Sequence, residues 1–313
     1  MPLTSLVDVV APVFGIIAVG FLAARASVLD GAGVKGLVAF VFNFAIPVLM
    51  FRSMAGIELP GDVEWGFLVA FYTGSLVTYA LGMAVGRWGF ARALDQQAVF
   101  GMSAAYSNTV FLGIPIILTA LGPDAALPLL LIIALHSATF MTLTVALIHL
   151  GRGEGISASE QALSVLRELV RNPIVVGLFL GLLANLGSVT LPGFLDRLTG
   201  LLGEAAVPCA LFAMGASLAV YPMGADGPAA LVLAALKLVV HPLIVWTVAV
   251  PVLGLDGIWV PAAVLMAAMP TGVNVYLFGA RYDAAASLAA RTVLVASTLS
   301  VVTISLMLLL FGG

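Results

Sequence analysis

The sequence is poor in charge, has one cysteine and has no basic residue before position 25. Only 9% of its 313 residues are charged, whereas a soluble domain carries roughly 25%, so this chain cannot cover a water-exposed surface. Cys209 alone excludes an internal disulfide and a cysteine-based metal cluster. Because no Lys or Arg precedes Arg25, a signal peptide's basic region is missing, and the first apolar stretch is expected to remain as a membrane span.

Several functional signatures are missing as well. The net charge of −3 comes without a polybasic tract, which argues against nucleic acid as a partner. No HExxH, GxSxG or Walker A motif occurs, so metalloproteolysis, serine hydrolysis and ATP-driven transport lack their residues. We therefore predict that the protein is not an enzyme and that it uses no cofactor or metal.

What the chain does have is apolar sequence, at 62% hydrophobic residues and a mean hydropathy of +1.20. Stretches of about 20 apolar residues predict membrane-spanning helices, so the fold class is an all-α membrane protein in contact with lipid. The one long polar connection, 151–171, alternates Leu or Val with Glu or Arg in its second part, a pattern that also suits a short interfacial helix. Ten spans are predicted, at 5–25, 34–53, 65–88, 96–121, 125–150, 172–190, 195–221, 228–253, 257–280 and 285–311.

The two halves of the chain look related. An offset of 161 residues places Gly20 on Gly181, and an offset of 166 places Asn108 on Asn274. Five spans per half is an odd number, so the second half enters the membrane from the opposite side and the repeat is inverted. The predicted divisions are a first repeat (1–150), a cytoplasmic linker (151–171) and a second repeat (172–313). The offset of 161 also relates Pro12 to Pro173, Leu22 to Leu183, Pro47 to Pro208 and Phe51 to Phe212.

Basic residues predict the orientation. The connections after the odd-numbered spans hold nine Lys and Arg residues, and those on the other face hold only Arg52 and Arg197. Positive loops remain in the cytoplasm, so both termini are expected outside it, in a multi-pass protein of the inner (plasma) membrane. The nine are Arg25, Lys35, Arg87, Arg92, Arg152, Arg167, Arg171, Arg281 and Arg291.

Asn108 and Asn274 are the leading site candidates, because each lies in an apolar span beside helix breakers. Polar residues beside broken helices at membrane depth are typical of inverted-repeat transporters. Half-helix N-termini and amide donors there would bind a carboxylate without a buried cation. The alternative is that the asparagines only join helices and the prolines only bend them. The other residues predicted at the substrate site are Tyr106, Ser107, Thr109, Pro115, Pro270, Thr271 and Gly272.

Four ionisable residues within the spans are candidates for coupling transport to protons or for attracting the anion. Lys237 and His241 are four residues apart and share a helix face. Their structural alternative is a lysine that snorkels to the interface beside a hydrogen-bonded histidine. His136, in the fifth span, has the same two interpretations. Glu204, in the seventh span, either carries protons or belongs to a static scaffold or subunit contact. Spans four, five and nine carry no central Asp or Glu, which a sodium/proton antiporter would need to bind its ions.

Four segments resemble the bacterial branch of the auxin efflux carrier family, within the bile/arsenite/riboflavin transporter superfamily. They are FVFNFAIPVLMFRSMA (40–55), YSNTVFLGIPI (106–116), LKLVVHPLIVW (236–246) and MAAMPTGVNVYLFGARY (266–282). The resemblance implies ten spans in two inverted repeats, with spans four and nine crossing as broken helices. It also implies a scaffold of spans 1, 2, 6 and 7, often the dimer contact, and a moving transport domain of spans 3–5 and 8–10. The family transports organic anions such as auxin, malonate and malate.

The functional hypothesis is a secondary transporter that exports or exchanges a small organic carboxylate by an elevator-like movement, as a homodimer. The first alternative is a sodium-coupled symporter of the bile-acid type, which sodium-dependent uptake would favour. The second is a membrane sensor or scaffold without transport, which would show neither substrate flux nor a ligand-dependent thermal shift.

Overall fold

The computed structural model describes residues 3–58, 62–153, 170–220 and 226–311, together with residues 163 and 167. Within these residues the chain forms helices and no β-strand, which confirms the predicted all-α class. Most of the 151–171 linker, with its predicted interfacial helix, lies outside the described residues. In chain order the helices are α1 (Leu3–Arg25), α2 (Gly31–Gly56), α3 (Gly66–Gly89), α4a (Leu94–Ala105), α4b (Thr109–Leu121), α5 (Ala126–Gly151), α6 (Pro173–Leu186), α7 (Gly193–Val220), α8 (Gly227–Val252), α9a (Trp259–Ala268), α9b (Asn274–Arg281) and α10 (Ala286–Phe311).

Each predicted span corresponds to a helix or to a pair of half-helices, and the multi-pass architecture follows from their length. Six helices, α2, α3, α5, α7, α8 and α10, are long and apolar enough to cross a membrane. The other four stretches contain shorter apolar helices. The 14 residues of α6 span only about 21 Å, less than the roughly 30 Å of a bilayer core. Stretches four and nine are divided, since their helices break at 106–108 and 269–273.

At three prolines inside the spans the helix is widened by a π-helical turn and continues. In α2, α4b and α8 a π-helical turn stops two residues before Pro47, Pro115 and Pro242. The residue before each proline donates its N–H to the carbonyl five residues earlier, instead of four. Proline lacks an N–H and its ring clashes with the preceding turn, so the wider turn accommodates it while the helix continues. These turns are Val41–Ala45, Thr109–Gly113 and Leu236–Val240.

Glycines allow two pairs of helices to pack with their backbones in contact. On α1, Gly20 lies against the carbonyl of Phe212 on α7, and on α6, Gly181 lies against the carbonyl of Phe51 on α2. A Cβ at either glycine would overlap that carbonyl, and small residues are what such close crossings require. The two contacts are reciprocal, because Gly20 and Gly181, like Phe51 and Phe212, are 161 residues apart. Two further glycines, Gly215 and Gly177, meet the carbonyls of Ile17 and Pro47 in the same way.

Charged side chains join the connections at one end of the molecule. Arg92, after α3, pairs with Asp226, before α8, at 3.0 Å. Arg152, after α5, lies 3.5 Å from Asp95 in the first turn of α4a and donates to the carbonyl of Tyr282, after α9b. The connections after α3, α5, α7 and α9b therefore lie at one common end. The pairing of Arg52 with Asp196 occurs at the opposite end of α7, in its first turn.

Candidate functional site

The two helix breaks meet in the middle of the protein. Ser107 and Thr271 form an isolated antiparallel bridge. The N–H of Asn108 donates to the carbonyl of Pro270 at 2.8 Å, and the N–H of Gly272 donates to the carbonyl of Tyr106 at 3.0 Å. Each break thus satisfies the backbone groups of the other, which buried chain outside a helix needs. A Cβ at Gly272 would lie 2.8 Å from the Tyr106 ring, so the crossing requires glycine there.

Asn108 caps the half-helix α4b and holds its amide donor in a weak interaction. Its Oδ1 accepts from the N–H of Phe111 at 3.3 Å, as an N-cap residue does. Its Nδ2 donates to the thioether sulfur of Met214 on α7 at 3.2 Å. The side chain is only 4% exposed. Because a thioether is a weak acceptor, a carboxylate oxygen in its place would form a much stronger bond with this amide.

Asn274 lies in the first turn of α9b, at the N-terminal end of the second short half-helix. Its Nδ2 donates to the hydroxyl of Tyr106 at 3.2 Å, and that hydroxyl lies 2.8 Å from Ser137 Oγ on α5. Tyr106 thereby connects the two breaks through its backbone and its side chain. Ser137 is part of this network but could not be predicted from the sequence, because one serine in an apolar helix has no distinctive spacing.

Two cavities meet at Asn274. The smaller, of about 30 Å³, is lined by six of the predicted site residues, Tyr106, Ser107, Asn108, Thr109, Gly272 and Asn274. The larger, of about 710 Å³, lies between α2, α7 and α9b, and its lining includes Asn43, Met214 and Asn274. Lys35 is the one charged residue among the described residues that line it. The two cavities share Phe42, Phe111, Val273 and Asn274 in their linings.

The three remaining predicted site residues, Pro115, Pro270 and Thr271, are buried on the side of the crossing away from the cavities. Thr271 is fully buried, and its hydroxyl donates to the carbonyl of Ser103 at 2.8 Å. Pro270 is buried and offers its carbonyl to Asn108. Pro115 is buried in α4b, just after the π-helical turn. None of these three lines either cavity, so the structure places them behind the site.

Lys237 and His241 form a buried polar chain beside the crossing. Lys237 Nζ lies 3.0 Å from His241 Nδ1 and donates to the carbonyl of Ala267, near the end of α9a. His241 Nε2 lies 2.8 Å from Ser75 Oγ, which donates to the carbonyl of Phe71 at 2.7 Å. Both Lys237 and His241 are 0% exposed. The lysine therefore does not reach the membrane interface, and the interpretation of Lys237 as a snorkelling residue is wrong.

The two other coupling candidates occupy different surroundings. His136 is fully buried, and its Nε2 accepts from the N–H of Ser107 at 3.0 Å, so it supports the first break directly. Its ring also lies 5.7 Å from the ring of Phe71, centroid to centroid, and the His241 ring lies 5.8 Å from the same phenylalanine. Glu204 is exposed on α7 and lines neither cavity. The structure thus brings three of the four candidates to the crossing and leaves Glu204 apart.

Sequence comparison identifies the protein's family. The family model described as "Membrane transport protein" matches residues 5–308, nearly the whole chain. The chain belongs to the auxin efflux carrier family of membrane transport proteins. The family resemblance of the four sequence segments is thereby confirmed, and the protein is a membrane transporter with a small-molecule substrate.

Individual relatives agree with this family. A "Putative malonate transporter" of Rhizobium meliloti (strain 1021) is 30% identical over 97% of this chain and 95% of its own length. An "Uncharacterized transporter" of Methanothermobacter thermautotrophicus is 25% identical over 96% of both chains. A "Probable auxin efflux carrier component 1b" of Oryza sativa subsp. japonica is 27% identical over 42% of this chain and 26% of its own length.

Proposed function

We propose that this member of the auxin efflux carrier family transports a small organic carboxylate, with malonate-like dicarboxylates as the leading class, and that it exports or exchanges them. The observation that carries the proposal is the pair Asn108 and Asn274. Each lies at the N-terminal end of a half-helix, and each borders the cavity at the crossing. Two amide donors at the partly positive ends of two helices form an anion site without a buried charge.

The amide donors of the two asparagines make hydrogen bonds that a carboxylate can replace. The Asn108 amide donates to the sulfur of Met214, and the Asn274 amide donates to the Tyr106 hydroxyl at 3.2 Å. A carboxylate accepts charge-assisted bonds, which are roughly twice as strong as neutral ones. Binding would therefore exchange weak internal bonds for stronger ones, and the carbon chain would lie toward the larger cavity.

We further propose that the transporter is built from two inverted repeats, 1–150 and 172–313, joined by the 151–171 linker. The reciprocal contacts of Gly20 with Phe212 and of Gly181 with Phe51 support it, since a two-fold relation exchanges one contact for the other. In this proposal α1, α2, α6 and α7 form the scaffold and the remaining helices form the transport domain. Elevator-like movement of that domain would carry the crossing from one side to the other.

The larger cavity is lined by both the proposed scaffold and the proposed transport domain. Its lining from α2 and α7 belongs to the proposed scaffold, whereas Asn274 belongs to the proposed transport domain. Movement between the two would therefore open or close the cavity. Lys35 also lines it, and the basic-residue count places Lys35 on the cytoplasmic side, so this state would be open toward the cytoplasm.

Counterflow in proteoliposomes tests the function. Vesicles loaded with unlabelled malonate should accumulate labelled malonate above the level of protein-free vesicles, in sodium and in choline alike. A parallel thermal-shift series of mono- and dicarboxylates should raise the unfolding midpoint of the purified protein. If no carboxylate produces either effect, the proposed substrate class is wrong. If the effects appear only in sodium, the symporter of the bile-acid type replaces this proposal.

A further inference from the structure

We propose that the ammonium group of Lys237 is a tethered cation that closes the carboxyl end of α9a, in a position where a mobile monovalent cation would otherwise have to bind. The flux measurements that test this inference rest on the proposed function, whereas the measurements of the unfolding midpoint do not. It assigns to Lys237 a positioning role in the second break, and it gives a structural reason why the carrier would need no sodium.

The ammonium group of Lys237 lies at the carboxyl end of a helix. Helix α9a ends at Ala268 inside the protein, where its last carbonyls have no partners within the helix and carry partial negative charge. The carbonyl of Ala267 accepts from Lys237 Nζ. The lysine is 0% exposed, and no carboxylate among the described residues lies within ion-pair distance of it. Its charge is therefore compensated by the helix end rather than by an acid.

The hydrogen bonds from Lys237 to His241 and from His241 to Ser75 run in one direction. An ammonium group has only donors, so His241 Nδ1 must accept from it. His241 Nε2 then carries the proton and donates to Ser75 Oγ, which donates to the carbonyl of Phe71. Lys237 Nζ is therefore the donor at the start of this series of hydrogen bonds, and it donates to two acceptors, the Ala267 carbonyl and His241 Nδ1.

The series of hydrogen bonds joins three helices. It runs from the end of α9a through α8 to α3, and so joins the break to two helices that pack against it. Ser75 and His241 are 166 residues apart, the same offset that relates Asn108 to Asn274. The ammonium group therefore lies where the proposed repeats meet, at the end of the half-helix that leads into the second break. A tethered cation in this position cannot dissociate during the transport cycle, so the carrier needs no cation from solution to hold the break together.

Two substitutions separate charge from packing. Lys237→Ala removes the ammonium group and leaves space lined by the Ala267 carbonyl and His241 Nδ1. Lys237→Met removes the charge and keeps most of the volume. If the lysine only fills space, K237M should keep wild-type flux. If the ammonium group and its N–H donors are what matters, both variants should lose flux roughly tenfold or more, because the Ala267 carbonyl and His241 Nδ1 are left without a donor.

Small cations provide the decisive test, with K237M as the matched control. Flux of K237A should recover in methylammonium or propylammonium chloride, which supply N–H donors to the vacated space, but not in tetramethylammonium, which has none. K237M should not recover, since its side chain fills the space. The unfolding midpoint of K237A without substrate should rise in the same salts and stay unchanged in choline. A K237A protein that purifies only in methylammonium supports the proposal equally.

Three results would overturn the inference. They are wild-type flux in K237M, a K237A variant whose flux and unfolding midpoint ignore every cation, and K237A that aggregates in all salts while K237M folds. If the wild type transports no carboxylate at all, the proposed function fails, but the midpoint series still decides the role of Lys237.

Discussion

Replacing Asn108 by alanine should weaken carboxylate binding far more than it weakens the fold. A hydrogen bond to a charged acceptor is worth about 1.5–3 kcal/mol, which corresponds to roughly a 10- to 150-fold rise in Kd. The variant also loses the N-cap of α4b, because Oδ1 no longer accepts from Phe111. That cap is worth about 1 kcal/mol of stability. Isothermal titration of the purified protein with malonate, beside thermal unfolding, measures the two effects separately.

Further substitutions distinguish the cap from the amide donor. Asn108→Ser keeps a cap acceptor but replaces the amide donor by a hydroxyl on a shorter side chain, so it should bind about as weakly as the alanine variant while unfolding near the wild-type temperature. Asn108→Asp keeps the cap and places a negative charge against the substrate, so it should bind worst of the three. Asn274→Ala should lose affinity to a similar degree.

The matched control is Asn185→Ala. Asn185 on α6 donates to the carbonyls of Ala55 and Ile57, at 3.1 and 2.7 Å, and lines neither cavity. Its loss should lower the unfolding temperature and leave Kd unchanged. Wild-type affinity in both Asn108→Ala and Asn274→Ala would refute the reasoning, and the asparagines would then only join helices.

Four further predictions concern the whole protein. An alkaline phosphatase fusion to the C-terminus should be active and a fluorescent fusion dark, because the basic connections place both termini outside the cytoplasm; the reverse pattern would invert the topology. Native mass spectrometry in mild detergent should give a homodimer, with α2 and α7 near the contact, and a monomer in detergent and in membranes would exclude it. Exchange of sodium for choline should leave flux unchanged, since the crossing has no carboxylate to bind sodium strongly, and a large loss would reject the idea. Gly20→Val should strongly destabilise the protein by forcing α1 from the Phe212 carbonyl, whereas Gly15→Val, with open space around its Cβ, should be near neutral in thermal unfolding.

The helices and the breaks could be predicted from the sequence because their signals are local. Apolar length gave each span with boundaries within about four residues of the observed ends. Pro270 marked the second break. The first break was expected beside Pro115, but it lies at 106–108, and Pro115 lies inside α4b because the π-helical turn before it accommodates the proline. The pairing of Ser107 with Thr271 depends on how the two breaks approach each other, and no local pattern encodes that distance.

The partners of the site residues could not be predicted for the same reason. Met214 and Ser137 contact the asparagine network from other helices, and in the sequence they are ordinary members of apolar runs. Lys237 and His241 were recognisable as a pair from their spacing. Their continuation to Ser75 and to the end of α9a required the packing of α3, α8 and α9a around them.

The π-helical turn in α2 changes which surface each half of that helix presents. One extra residue in a helix of 3.6 residues per turn rotates everything after it by about 100°. Before the turn, Val34 and Val38 face the larger cavity. After the turn, Pro47 and Phe51 face the glycines of α6. The helix therefore consists of two segments whose rotation about the helix axis is set separately, one lining the larger cavity and the other packing against α6. Insertions or deletions between 41 and 45 should uncouple them, even where every side chain at either surface is preserved.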